Sequence, residues 1–150
     1  MRILAMDVGD RRIGLAVSDV MGWTAQGIDT LERRGKAKDM EYIGQLITLY
    51  NPEKLVLGLP KNMNGTIGPQ GEKVKAFGKL IKSKVYDGEI VYWDERLTSV
   101  QANRVMIDAD VSRKNRKKRV DRMAAIFILQ SYLDFIDNEK REEDTDDTRE

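Results

Sequence analysis

The stretch MDVGDRRIGLAVSD, residues 6–19, decides how the rest of the chain is read. Ile3, Leu4, Ala5 and Met6 run apolar into Asp7, as in a strand buried on both faces, and Gly9 turns the chain out of it. Residues 13–17 are again rich in β-forming side chains and stop at Ser18-Asp19, so the short connection predicts an antiparallel hairpin. Acids usually sit in exposed loops or at helix caps. An acid that directly follows four apolar residues departs from that habit, and Asp7 becomes the first candidate for chemistry.

Outward from this hairpin, a third and weaker strand is expected over residues 27–33. From Asp39 onward, Ile43, Leu46, Ile47 and Tyr50 recur at one helical face, and Asn51-Pro52 ends the helix. Residues 54–57 form an apolar strand, followed by GLPKNMNGTIGPQG, whose four glycines and two prolines exclude regular structure. Gly68-Pro69 reads as a helix start, with Val74, Phe77 and Ile81 on the inner face. Residues 89–93 read as a strand running into Asp94-Glu95-Arg96. Thr98 and Gln101 match a capping box for a helix to about Ile107. The last helix turns Val120, Met123, Ala124, Phe127 and Ile128 inward. Three strands in a meander, then strands alternating with helices, indicate an α/β chain with a mixed sheet covered by helices.

Composition narrows the chemistry. The chain has 150 residues, no Cys and no His. That length suits one domain. Without thiol or imidazole there is no Ser-His or Cys-His pair and no ordinary zinc site, so catalysis falls to carboxylates, Lys, hydroxyls or metal-bound water. Oxygen ligands favour magnesium or manganese. The net charge of +1 hides an acidic end: residues 137–150 hold eight acids against three bases, which leaves +6 on the first 136. The acidic tail has almost no apolar residues and is expected to lack fixed structure. No run is apolar and long enough to span a membrane, and the expectation is a soluble, cytoplasmic protein.

In an open α/β sheet, ligands collect outside the carboxyl ends of the parallel strands. Asp7 ends the first strand and Asp94-Glu95 ends the last. If these strands run parallel near the sheet centre, both acids reach one rim, and Asp121 at the start of the final helix can complete the cluster. Three crowded carboxylates repel one another unless a cation neutralises them, so the set makes sense as a divalent-metal site. Two ions about 3.5–4 Å apart activate a water and stabilise the leaving oxygen of a phosphodiester. Neighbouring strand residues point to opposite faces, so only one of Asp94 and Glu95 serves. Beside Asp121 lie Arg113, Lys114, Arg116, Lys117, Lys118, Arg119 and Arg122, a run suited to a phosphate backbone. Arg11, Arg12 and Arg96 add to that surface.

Four ordered stretches, MDVGDRRIGLAVSD, GLPKNMNGTIGPQG, WDERLTSVQA and VDRMAAIFILQSYLD, resemble the motifs of the YqgF family of RNase H-like, RuvC-like nucleases. The resemblance covers the chain to about Asp137. It implies an RNase H-like fold with a five-stranded mixed sheet flanked by helices, a nuclease domain over residues 1–137 and an acidic tail over 138–150. It further implies metal-dependent phosphodiester hydrolysis, most naturally at the 5′ end of pre-16S rRNA in ribosome biogenesis, with Mg2+ or Mn2+ in a two-ion site. By motif position the catalytic and metal-binding acids are Asp7, Glu95 and Asp121, and the phosphate-facing arginine is Arg12. Ala5 stands where many members have Gly, and Asp10 where Thr or Ser is frequent.

Three other readings compete. A sugar kinase or actin-like ATPase shares the Asp-x-Gly turn but needs a second lobe, for which this chain has no room. A non-catalytic RNA-binding or transcription-associated module would not need three acids. A Holliday junction resolvase acting in DNA recombination or repair would share the chemistry, with branched DNA in place of RNA as partner. That reading calls for a symmetric homodimer, whereas trimming RNA can be done by a monomer.

Overall fold

The computed structural model describes residues 2–94 and 113–148, with side chains described for residues 2–94 and 123–143. β1 (Ile3–Val8), β2 (Arg12–Ser18) and β3 (Ala25–Glu32) form the meander. They are followed by α1 (Lys36–Tyr50), β4 (Lys54–Leu59), α2 (Pro69–Lys84) and β5 (Glu89–Asp94). A long helix, α3 (Arg113–Thr148), comes last. The sheet order is β3-β2-β1-β4-β5, with β1 antiparallel to β2 and parallel to β4, and β4 parallel to β5. The expected five-stranded mixed sheet is present. The first and last strands do run parallel, but β4 stands between them and β5 is an edge of the described sheet.

Strand alternation divides the core into two layers. Leu4, Met6 and Val8 of β1 join Leu55, Leu57 and Leu59 of β4 in a layer completed by Ile43 and Leu46 of α1 and Val74, Phe77 and Ile81 of α2. Ile3 and Ala5 join Ala16, Val56 and the α3 residues Ala125, Ile128, Leu129, Tyr132 and Leu133 in the other. The small residues are placed where the helix comes nearest. Ala5, Ala16 and Ala125 are fully buried, so α3 lies close against the central strands. Trp93 closes this layer at the β5 edge, where its indole N–H donates to Ser131 Oγ at 3.1 Å and its ring meets Tyr132 edge-on at 5.3 Å.

The helix boundaries differ from expectation in two places. α1 begins at Lys36, a turn before the apolar periodicity starts, because its first turn is polar. It ends as expected, with Asn51 in the left-handed conformation and its N–H donating to Ile47 O at 2.8 Å. The second difference is the acidic end. Residues 138–150 were expected to lack fixed structure, yet α3 continues to Thr148. This segment contains no Gly or Pro and is rich in Glu, Lys and Arg, good helix formers. An i,i+4 pair, Arg141 Nη2 to Asp137 Oδ2 at 3.1 Å, supports it. The pair is exposed and contributes at most a few tenths of a kcal/mol. The capping-box helix expected after Thr98 lies outside the described residues.

One buried charge ties the layers together at the end of β3. Asp39, 1% exposed in the first turn of α1, accepts from Arg33 Nε at 3.1 Å and from the Arg34 backbone N–H at 3.0 Å. Arg33 Nη1 also donates to Gly9 O at 3.0 Å, and its guanidinium lies over the Phe77 ring of α2 at 5.0 Å. Removing Asp39 leaves this largely covered guanidinium without its counter-charge, which costs roughly 2–4 kcal/mol when Arg33 is partly solvated. Asp39→Ala should therefore unfold at clearly lower denaturant concentration, while Arg34→Ala, which keeps the backbone donor, should not; chemical denaturation of the two variants checks this.

Candidate active site

β1, β4 and β5 are parallel, so their carboxyl ends share one rim, and β3, which runs the same way, ends there too. Met6, Leu57 and Tyr92 lie in one row across β1, β4 and β5. Asp7 stands one residue beyond that row and Asp94 two. Alternation separates them further. Asp7 keeps step with Ile3 and Ala5 and belongs to the α3 side, whereas Asp94 keeps step with Ile90 and Tyr92 and belongs to the α1–α2 side. Two strand spacings, about 10 Å, also lie between β1 and β5. Of the two adjacent acids, Asp94 is thus not the one that shares Asp7's face.

Asp7 is half-buried, and its surroundings are shaped by glycine. Gly14 faces it across the β1–β2 ladder, and Gly58 follows Leu57 on the β4 side. Neither neighbouring strand places a side chain beside the carboxylate on the α3 face. Arg12, in step with Gly14 and Ala16, belongs to the same face as Asp7. Its Nε lies 3.8 Å from Glu32 Oε1, beyond hydrogen-bond distance, and is buried with no hydrogen-bond partner.

The turn between Asp7 and Arg12 is fixed from three sides. Gly9 N–H donates to Arg12 O at 2.9 Å, and a Cβ at Gly9 would meet that oxygen at 2.8 Å, so only glycine closes the hairpin this tightly. Arg33 holds the turn from β3 through Gly9 O, and Arg33 N–H donates to Arg11 O at 2.9 Å. Gln70 Nε2, from the first turn of α2, donates to Val8 O at 3.3 Å. Asp10, the residue the family comparison left unexplained, lies 3.3 Å from Lys73 Nζ of α2. The glycine-rich segment after β4 is irregular, as expected, but well tied. Asn62 N–H donates to Thr66 O at 2.8 Å, Thr66 Oγ1 donates to Asn64 Oδ1 at 2.6 Å, and Gly65 takes φ +84°.

Of the acids assigned from sequence, Asp7 alone is described with its side chain. Glu95 and Arg96 lie outside the described residues. Asp121, Arg113, Lys114, Arg116, Lys117, Lys118 and Arg119 lie in the backbone of α3, and their side chains lie outside. Among the described residues no group of three or more His, Cys, Asp or Glu is close enough to hold a metal. The donor chemistry nevertheless suits a hard cation: a half-buried carboxylate between glycines, in a chain with neither His nor Cys. Sequence reading missed Arg33 and Asp39, which carry no periodic signal and position the turn through a backbone carbonyl.

Residues 1–135 match the family model described as "RuvX: Holliday junction resolvase". A Clostridium tetani protein named "Putative pre-16S rRNA nuclease" is 54% identical over 138 residues, covering 92% of this chain and 99% of its own. A Clostridioides difficile protein of the same name is also 54% identical, covering 89% and 94%. Among solved structures, T. thermophilus RuvC in complex with Holliday junction substrate aligns with a TM-score of 0.57 at 12% identity, over 89% of this chain and 93% of that one. The fowlpox virus resolvase with substrate Holliday junction DNA aligns with a TM-score of 0.57 at 17% identity, over 91% and 99%. At such identities these two structures establish the RNase H-like fold that they share with this chain.

Asp10 and Lys73 are both exposed, so their pair contributes little to stability. Asp10→Asn should leave thermal unfolding unchanged, release Lys73 and strengthen binding to a polyanion such as heparin. Chromatography on heparin-agarose checks the direction, and earlier elution would show that the pair shapes the turn.

Proposed function

This chain belongs to the RuvX (YqgF) family and is a nuclease of the RNase H-like superfamily, and from that premise we propose that it hydrolyses phosphodiester bonds in RNA, maturing the 5′ end of pre-16S rRNA during ribosome biogenesis. The observation that carries the reading is the place of Asp7: a carboxylate at the rim end of the central strand, on the α3 face, between Gly14 and Gly58. We assign Asp7, Glu95 and Asp121 as the acids that hold two Mg2+ or Mn2+ ions. Asp94 keeps step with the other face, and the assignment of Glu95 rests on the family motif. Asp121 precedes Ala125 by four residues and Ile128 by seven, the spacing of one helical stripe, and both of those pack on the face that carries Asp7.

In this reading the protein's own groups bind and orient. Arg12, on Asp7's face, takes a phosphate oxygen next to the scissile bond. Arg96 and the run Arg113, Lys114, Arg116, Lys117, Lys118 and Arg119 hold the backbone on either side. The rigid turn from Gly9 to Arg12 keeps Asp7 and Arg12 in fixed relation, so binding does not have to order them. Divalent cations, when bound, lower the pKa of the attacking water and stabilise the leaving oxygen. The setting is cytoplasmic, and a monomer suffices for trimming one strand. A second reading, cleavage of four-way DNA junctions, is favoured by the fold shared with junction resolvases and requires a symmetric dimer.

The test is a parallel cleavage assay in Mg2+ and in Mn2+ with precursor ribosomal RNA, single-stranded RNA and a four-way DNA junction. RNA should be cut, and Asp7→Asn should lose at least about 10³-fold in rate at unchanged stability, as expected when a group stabilising the transition-state charge is removed. Cutting of the junction alone would replace RNA by DNA, and an active Asp7→Asn would remove the site. Lys117→Ala with Lys118→Ala should weaken binding of every sequence alike and flatten its salt dependence by roughly 1.4 in log-log slope on single strands. Loss confined to particular sequences would instead indicate base reading.

A further inference from the structure

On the side of the sheet away from α3, a groove of about 580 Å³ runs between the start of α1 and the outer face of α2. Its floor is Phe77 and Leu80, and its charged lining is Arg33, Lys36, Lys73 and Lys79, with no acid among the lining residues. Lys36, Lys73 and Lys79 are exposed. Arg33 is balanced by buried Asp39, and Lys73 is partly balanced by Asp10. Lys36 and Lys79 have no ion-pair partner among the described residues. The positive potential of the groove therefore comes from Lys36, Lys79 and part of Lys73.

Two of the groove's lining residues are bonded to the Gly9–Arg12 turn, Arg33 through Gly9 O and Lys73 through Asp10. Lys73, tied to that turn, and Lys79 lie six residues apart on α2, about 9 Å along its axis. That span matches two to three phosphates at about 3.4 Å rise per nucleotide. Lys36 stands on the opposite wall.

We propose that this groove binds the sugar-phosphate backbone of the RNA strand that flanks the cleavage site, as a second contact surface beyond the basic start of α3. The inference rests on the nuclease reading above. It makes the enzyme grip its substrate on both sides of the sheet, with the rim between. A polyanion fits because the lining offers cations over an apolar floor and no carboxylate to repel it.

Binding of a fluorescent single-stranded RNA to full-length protein, measured by anisotropy from low to moderate salt in the Asp7→Asn background, tests it. Lys36→Ala with Lys79→Ala should weaken binding several-fold and lower the log-log salt slope by roughly 1.4, the loss of two phosphate contacts on a single strand. Lys38→Ala with Lys82→Ala removes the same charge outside the groove and should change neither. Equal behaviour of the two pairs would overturn the proposal, as would loss of binding to a four-way DNA junction without loss on RNA. Cleavage by the otherwise unaltered protein is followed in parallel. If it cuts RNA while the two pairs bind alike, the groove is wrong and the nuclease reading stands. If it cuts no nucleic acid while the groove pair alone loses RNA binding, the groove stands and the catalytic reading falls.

Discussion

The alternation of side chains along β1 is the constraint on which the rest depends. A central strand must be apolar on both faces, and residues 3–6 and Val8 meet that requirement with two different helical layers. Asp7 interrupts it on one face only, at the next-to-last position of the strand. Had the acid come one residue earlier, it would have entered the layer beneath α1 and α2, with nothing to neutralise it. Here it keeps step with the α3 face near the rim, where Gly14 and Gly58 add no side chains.

Position alone does not hold a site, and the second constraint is the turn that follows. Gly9 closes it through a backbone contact too close for any other residue. Arg33, Asp39 and Phe77 then clamp it from β3, α1 and α2. A buried ion pair is weak evidence for added stability, since desolvation offsets most of its attraction. Its value here is geometric: a carbonyl of the turn, a helix start and an aromatic ring meet one planar guanidinium. The carboxylate of β1 and the arginine of β2 are thus kept in register by residues distant in sequence.

Much of this was legible in the chain. Apolar runs marked β1, β2, β4 and β5, a weaker pattern marked β3, and Pro69 and Asn51 marked a helix start and a helix stop, because buried layers and caps leave periodic or local signals. The β1–β2 hairpin and the mixed character of the sheet followed from connection length and from the alternation of later strands with helices. What could not be read was pairing at a distance. The edge position of β5, the Asp10–Lys73 pair and the Arg33–Asp39 clamp depend on how layers stack, and no spacing encodes them. Between Asp94 and Glu95 alternation made no choice and motif position named Glu95; the register shows only that Asp94 pairs with Leu59 of β4. The helical acidic end was misjudged for another reason, since a tail too polar to pack can still favour helical backbone.

The two rival substrates differ in what they ask of this geometry. A four-way junction presents two symmetric scissile strands and is met most simply by a second copy that supplies the second site. A single RNA strand asks one rim to hold it on either side of the cut. The described surface has one feature of the second kind: a basic groove between α1 and α2, two of whose residues are tied to the clamped turn. Under the proposed reading such a groove serves a single strand passing over the rim of one chain, and trimming that strand asks for no second copy.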